Sequence, residues 1–318
     1  MDRSKIPEFV KTIYREAYYA YNRVKGKIIK IIVYISPELH ARYEMNREKQ
    51  VLKRPVNLKN PLYFHEKRLW LKYYIYNHNP LISKCYNKYE VREYIKSKGL
   101  GYILNDLYYV WDSINEIPWD KLPDECVIKV ANGCQGHVFK QMNQEFDIHK
   151  AKKTLKQTIK RSKYFFEITG DLFCYGTKQK IICEKMLHSN IGKDFPEDFK
   201  FHCFNGEPKF LEYISDRKGH NVQSCFVDME FNDCHDLEGE AAPGTINVPP
   251  LFHEMQEVSR ILSKDFPYVR VDLYVEENRV IFGELTFTPY QHETERSQDV
   301  LGELLNIDYL IQEKNRHD

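Results

Sequence analysis

The sequence predicts an α+β fold. Helix-period and strand-period segments are mixed without the strict βαβ alternation of a parallel sheet. Two strand pairs close on short polar turns, one at Asn205-Gly206 and one at residues 276–278. With 318 residues, 42% of them hydrophobic, the chain can bury two or three subdomain cores.

Residues 1–50 read as helical and basic. Residues 52–61 form a loop punctuated by Pro55, Asn57, Asn60 and Pro61. Residues 64–76 have helical spacing and an aromatic face. Residues 88–98 predict a helix ended by Gly99 and Gly101. Residues 107–111 read as a short strand and 126–131 as a buried strand carrying Lys129. Asn132-Gly133-Cys134-Gln135-Gly136 is a flexible turn before a second strand at Val138-Phe139. Residues 150–161 predict a basic helix, 180–187 a strand, 198–212 a hairpin, and 249–265 a helix.

Formal net charge is +1, so no nucleic-acid partner is expected. Eight cysteines sit singly, mostly in apolar runs, with no CxxC pair. They read as reduced core thiols of a cytoplasmic protein. No signal peptide is evident. Residues 9–35 are rich in Tyr, Ile, Lys and Arg but hold no apolar run near the ~20 residues needed to span a bilayer. They read either as helix lying peripherally on the inner membrane surface, or as helix packed on the protein with its basic residues in water.

The most informative segment is C-terminal. In residues 269–275, Val269, Val271, Leu273 and Val275 share one face, and Arg270, Asp272 and Tyr274 the other. Residues 280–287 are apolar around Glu284 and Thr286. If Glu276 pairs with Val280, Asp272 lies opposite Glu284. Two carboxylates so placed repel unless a cation such as Mg²⁺ sits between them. Arg270 shares their face and can meet a phosphate or an oxyanion.

Three further segments suit a nucleotide. Lys129, followed by the glycine turn, makes a strand–loop–strand flap whose backbone N–H groups can cover phosphates. GxxxxGK[ST] and GxGxxG are both absent. Glu184-Lys185-Met186-Leu187 can act as a hinge whose backbone reads an adenine edge. Lys200 shares a strand face with His202 and can reach a phosphate. Each segment taken alone also fits ordinary core or a solvated edge.

In this order, the lysine strand, glycine loop, Glu-Lys hinge, strand lysine and Asp and Glu strands resemble the ATP-grasp superfamily. The chain is most similar to its TupA-like branch, linked to teichuronopeptide and other bacterial cell-surface polysaccharides. The likeness rests on Phe64-His65-Glu66-Lys67, Asn87-Lys88, Val127-Ile128-Lys129, Glu184-Lys185, Asp198-Phe199-Lys200-Phe201, Asp216-Arg217, and the run from Arg270 to Pro289. It implies two α+β subdomains gripping ATP, preceded by a helical segment. The expected division is 1–50 basic helical, 51–125 pre-grasp, 126–190 flap and hinge, and 191–318 metal and phosphate site.

The resemblance also implies roles. Lys88 and Lys129, with Gly133 and Gly136, contact the nucleotide phosphates. Residues 184–187 hold adenine, and Lys200 is a third phosphate or ribose contact. Asp272 and Glu284 are Mg²⁺ ligands, and Thr286 stands where D-alanine–D-alanine ligase carries a metal-binding Asn. Arg270 steadies the transferred phosphoryl group, and Arg217 holds a substrate carboxylate or phosphate. The implied activity is ATP-dependent ligation of an amine to a uronic acid of a capsule or exopolysaccharide precursor. Two rivals are a glycosyltransferase-like role, against which no DxD motif occurs, and a non-catalytic ATP-grasp scaffold. Departures from the branch are the altered loop 131–136 and Tyr290-Gln291 in place of glycines.

Overall fold

The computed structural model describes residues 7–48, 54–190, 192, 195–215, 223–237, 248–289 and 294–317. Arg217, Tyr290 and Gln291 lie outside them.

The N-terminal segment forms two helices, α1 (Glu8–Ile35) and α2 (Pro37–Glu48). Three shorter helices follow: α3 (Phe64–Tyr74), α4 (Pro80–Tyr86) and α5 (Val91–Ser97). Lys88 lies outside the helix expected for 88–98. Asn87 accepts through its side chain from the N–H groups of Tyr89 and Glu90, and this turn delays helix α5.

Glu66 and Lys67, which carry part of the family likeness, are structural. Glu66 is buried and accepts from Arg54 and from the N–H groups of Asn57, Leu62 and Tyr63. Lys67 donates to the carbonyls of Gly302 and Leu305 at the end of α8 (Glu295–Leu304). That placement matches the preference for cations at helix C-termini.

The first sheet contains β1 (Leu107–Trp111), β2 (Cys126–Val130), β3 (Val138–Lys140) and β4 (Ile181–Glu184), ordered β1-β4-β2-β3 and antiparallel throughout. Helix α6 (Ile148–Thr169) packs Ala151 and Leu155 into its core with Ile128 and Ile181. The second sheet, β7-β6-β5-β8-β9, is also antiparallel: β5 (Asp198–Phe204), β6 (Glu207–Ser215), β7 (Gln223–Asp228), β8 (Tyr268–Glu276) and β9 (Arg279–Thr286). Helix α7 (Phe252–Ser263) covers its apolar face, where Phe201 meets Phe252 with ring centroids 6.0 Å apart. Helix α9 (Asp308–His317) ends the described chain. Sequence periodicity left β7, α4, α8 and α9 unread.

The β8–β9 hairpin corrects the expected register. Glu276 pairs with Arg279, not Val280, around a two-residue turn whose Glu277 and Asn278 both have positive φ. A bulge at Gly283 then shifts the ladder by one residue and returns Asp272 to a position opposite Glu284.

Candidate functional site

Cross-strand pairing sets two rows of residues on the face of the second sheet turned away from α7. Row one runs Glu212, Lys200, Asp272, Glu284 across β6, β5, β8 and β9. Row two runs His202, Arg270, Thr286. Side chains two apart on a strand share a face, so the rows are neighbours.

The end of the rows at Glu284 lines a cleft against the first sheet. Lys88, Arg92, Asn105, Lys129, His137, Glu184 and Leu187 face Tyr274, Phe282 and Glu284 there. The cleft encloses about 70 Å³, well below the ~300 Å³ at which ligand pockets begin.

Ion pairs close it. Lys129 donates to Glu184 at 2.8 Å, and Arg92 reaches the same carboxylate at 3.5 Å. Lys88 lies 3.5 Å from Glu284 and donates to the Gly133 carbonyl at 3.1 Å. Arg270 grips both Asp272 oxygens at 2.7 Å and lies 4.0 Å from Glu284. The repulsion anticipated between the two acids is therefore relieved by two cations of the chain, Arg270 and Lys88.

The surroundings shift the two acids in opposite directions. Burial pushes the Asp272 carboxyl up to about 6, although the Arg270 guanidinium opposes that shift. Burial acts on Glu284 in the same sense, but Lys88, Arg270 and His137 outweigh it and hold the carboxyl at about 2. Glu284 is open to solvent on the cleft side, which screens part of this effect.

Other expected residues fall as follows. Lys200 is buried and donates to Glu212 at 2.7 Å, away from the cleft lining. Burial alone would raise the Glu212 carboxyl, but His202, Lys200 and Arg270 hold it below the usual range. Gly133 donates its N–H to the Val130 carbonyl and accepts from Lys88. A Cβ on Gly133 would meet Thr158 and Val130 at 2.9 Å, and Gly136 has φ +73° against Thr158, so both glycines seat the loop on α6. In the hinge, the Lys185 N–H bonds the Asp106 carbonyl and its C=O accepts from Asn105. The Lys185 side chain pairs with Glu276 at 2.7 Å. Met186 and Leu187 follow the last β4 residue, and Leu187 lines the cleft.

Arg92, His137 and Glu212 entered the site without an expected role. Arg92 lies four residues beyond Lys88 and His137 directly follows the glycine turn. Glu212 was legible only as the strand partner of Lys200.

The donor set suits Mg²⁺. Asp272 and Glu284 offer hard oxygens from directly paired residues, and the Thr286 hydroxyl donates to Glu284 at 3.3 Å. Among the described residues no group of three or more His, Cys, Asp or Glu forms a metal cage.

Two antiparallel sheets gripping a cleft, with lysines on one wall and paired acids on the other, define an ATP-grasp protein. The model of the TupA-like ATP-grasp family matches residues 66–306, and the chain belongs to that family. Among solved structures, D-alanine–D-alanine ligase from Bacillus anthracis complexed with ATP is 14% identical at TM-score 0.44, over 74% of this chain and 69% of that one. The enzyme of the same name from Helicobacter pylori is 14% identical at TM-score 0.40, over 70% and 61%. L-amino acid ligase from Bacillus licheniformis is 14% identical at TM-score 0.40, over 71% of this chain and 51% of that one. The search of curated proteins returns no match. Among the described residues, no helix is long and apolar enough to cross a membrane.

Proposed function

We propose that the chain is an ATP-dependent carboxylate–amine ligase working through an acyl phosphate. The observation that carries this reading is the Asp272–Glu284 pair facing Lys88 and Lys129 across one cleft. ATP enters as the sheets part, and its phosphates replace Glu184 and Glu284 as partners of Lys129 and Lys88. Leu187 and Met186 hold the adenine edge, and Asp272, Glu284 and Thr286 would hold Mg²⁺. Bound there, Mg²⁺ would neutralise charge on the phosphates.

A substrate carboxylate oxygen attacks the γ-phosphorus, the bond to the bridging oxygen breaks, and ADP leaves. Positioning and charge stabilisation drive such a transfer, with no covalent help from the protein. The amine then attacks the acyl carbon, loses a proton, and phosphate departs. Arg270, released in part from Asp272, steadies the oxyanion, a role worth 10²–10³-fold in comparable sites. Lys200 and Glu212 form the buried end of the charged row, and Lys200 serves as the third phosphate or ribose contact. Arg217 remains our candidate for holding the acceptor carboxylate.

By family, the carboxylate is that of a uronic acid in a bacterial capsule or exopolysaccharide precursor and the amine that of an amino acid. We place the reaction at the cytoplasmic face of the membrane, in peripheral contact through residues 9–35. The test is to incubate the protein with Mg-ATP, uronic-acid sugars and a panel of amino acids, measuring ADP release and product mass. A new amide mass with matching ADP supports the ligase. ADP release at background for every pairing, no higher than that of Glu284→Gln, returns the chain to the scaffold reading.

A further inference from the structure

Helix α1 is 28 residues long, or about 42 Å. One face packs on the protein. Asn22, Gly26, Ile29 and Val33 are buried along it, the Tyr19 ring meets that of Tyr164 of α6 at a tilt with centroids 6.1 Å apart, and Glu16 pairs with Lys160 at 3.0 Å. A Cβ on Gly26 would collide with Glu167, so α1 and α6 approach closely there.

The other face is bare and apolar. Tyr14, Tyr21, Val24, Ile28, Ile31 and Ile35 are all exposed, at 55–79% of their surface. Phe9, Ile13, Tyr18 and Tyr34 widen the band to just over half of the helix circumference. A surface of this size on a monomer marks an interaction site. It continues into an apolar groove of about 480 Å³ between α1 and α2, lined by Ile32, Leu39 and Tyr43 besides Tyr21 and Ile28.

Charge decides the occupant. Helix α1 carries six basic residues against Glu8 and Glu16, and α6 carries seven against Glu167 alone. This local excess stands in a chain whose formal net charge is only +1. Lys25 and Lys27 flank the apolar band, with Arg23 and Lys30 beyond them. The spacing of Val10, Tyr14, Ala17, Tyr21, Val24, Ile28, Ile31 and Ile35 alternates four and three residues, as in a coiled-coil seam. The positions flanking that seam hold Lys11, Lys25 and Lys27 and no acid, so a second copy would offer these lysines no opposite charge. An anionic surface instead complements Lys11, Lys25 and Lys27 beside the band, and Tyr14, Tyr18, Tyr21 and Tyr34 suit the boundary between headgroup and acyl chain.

We propose that the outward face of α1 is a docking surface for an anionic bilayer, with the helix lying in the plane of the interface and the α1–α2 groove open to an acyl chain. This deepens the membrane contact proposed above and is independent of the ligation chemistry.

The test is flotation of the full-length protein with phosphatidylcholine vesicles, with and without added phosphatidylglycerol. Binding is expected only with the anionic lipid and is expected to weaken with salt. Ile28→Glu/Ile31→Glu removes it. Lys25→Gln/Lys27→Gln, which leaves the apolar band intact, weakens it about thirtyfold, each lysine near such a surface contributing roughly fivefold. Circular dichroism confirms that each variant is folded. Equal binding to both vesicle types, or no binding to either, overturns the proposal. So does a concentration-dependent dimer, seen by light scattering, that Ile28→Glu/Ile31→Glu converts to monomer without any vesicle binding. ADP release assayed without lipid reports on the ligase reading alone, so either idea can fail while the other stands.

Discussion

Asp272 stands opposite Glu284 because Gly283 bulges out of the β8–β9 ladder between them and the hairpin turn. In the register set by Glu276 and Arg279, Asp272 would meet Gly283, and Glu284 would fall on the α7 side of the sheet. A Cβ at Gly283 would come within 2.8 Å of the Asp272 carbonyl and the Tyr274 ring. Gly283→Val is therefore expected to lower stability by about 1–3 kcal/mol and ATP-dependent ADP release more than tenfold. Urea denaturation and a coupled ADP assay check this. A variant with wild-type values in both would show that the bulge does not set the site.

Asp272→Asn and Glu284→Gln each remove one acid from the paired strands. We expect each to cut ADP release by about 100-fold or more while leaving the circular dichroism spectrum unchanged. Retained activity in both would move the metal site elsewhere.

Lys200 and Glu212 form a buried pair at 2.7 Å. Removing only the lysine strands the carboxylate, so Lys200→Met is expected to cost about 3–5 kcal/mol. Lys200→Met/Glu212→Met should recover most of that loss in chemical denaturation. Activity then separates two roles for the lysine. ADP release that stays low in the stable double variant supports a phosphate contact, whereas full recovery limits Lys200 to the fold.

His40 joins α2 to the core, with its ring nitrogens 2.7 Å from the Tyr73 hydroxyl and 3.0 Å from the Ile168 carbonyl. Burial, reinforced by nearby Lys72, lowers its pKa to about 4. The unfolded chain binds this proton near pH 6.5 and the folded chain only near pH 4. The stability from a neutral His40 is thus complete above about pH 6.5 and lost as pH falls toward 4, roughly 3 kcal/mol in all. Unfolding free energies measured across that window should show the slope, and His40→Gln should flatten it. An unchanged slope in the variant would assign the acid sensitivity to other groups.

Much of this site was legible because strands announce themselves by alternation. The faces of β8 follow from period-two patterning and the Asn205-Gly206 turn from its turn chemistry, while the Asp272–Glu284 pairing was reached through a register the structure replaces. The route to that pairing was not legible, since a bulge leaves no periodic trace beyond a glycine. Lys129 and Glu184 were each read as ligand contacts. That they bond each other depends on β2 pairing with β4 across more than 50 intervening residues, and no local pattern records it. For residues 9–35, composition suggested membrane contact or packing on the protein. The helix is packed along one face while its apolar opposite face stays exposed, a division that depends on where α6 lies.

Glu212, Lys200, Asp272 and Glu284 occupy a single row across four strands, not positions along one. Their spacing across the sheet is the repeat between hydrogen-bonded strands, about 4.8 Å, while the two-residue turn and the Gly283 bulge decide which residues of β8 and β9 share the row. The sheet works as a ruler. Chain ends and acceptor-side loops can be lengthened or exchanged without moving one graduation against the next, provided the β8–β9 turn and the Gly283 bulge keep their register. Such an arrangement would let selection change what is joined while the distance between charges at the reacting centre stays fixed.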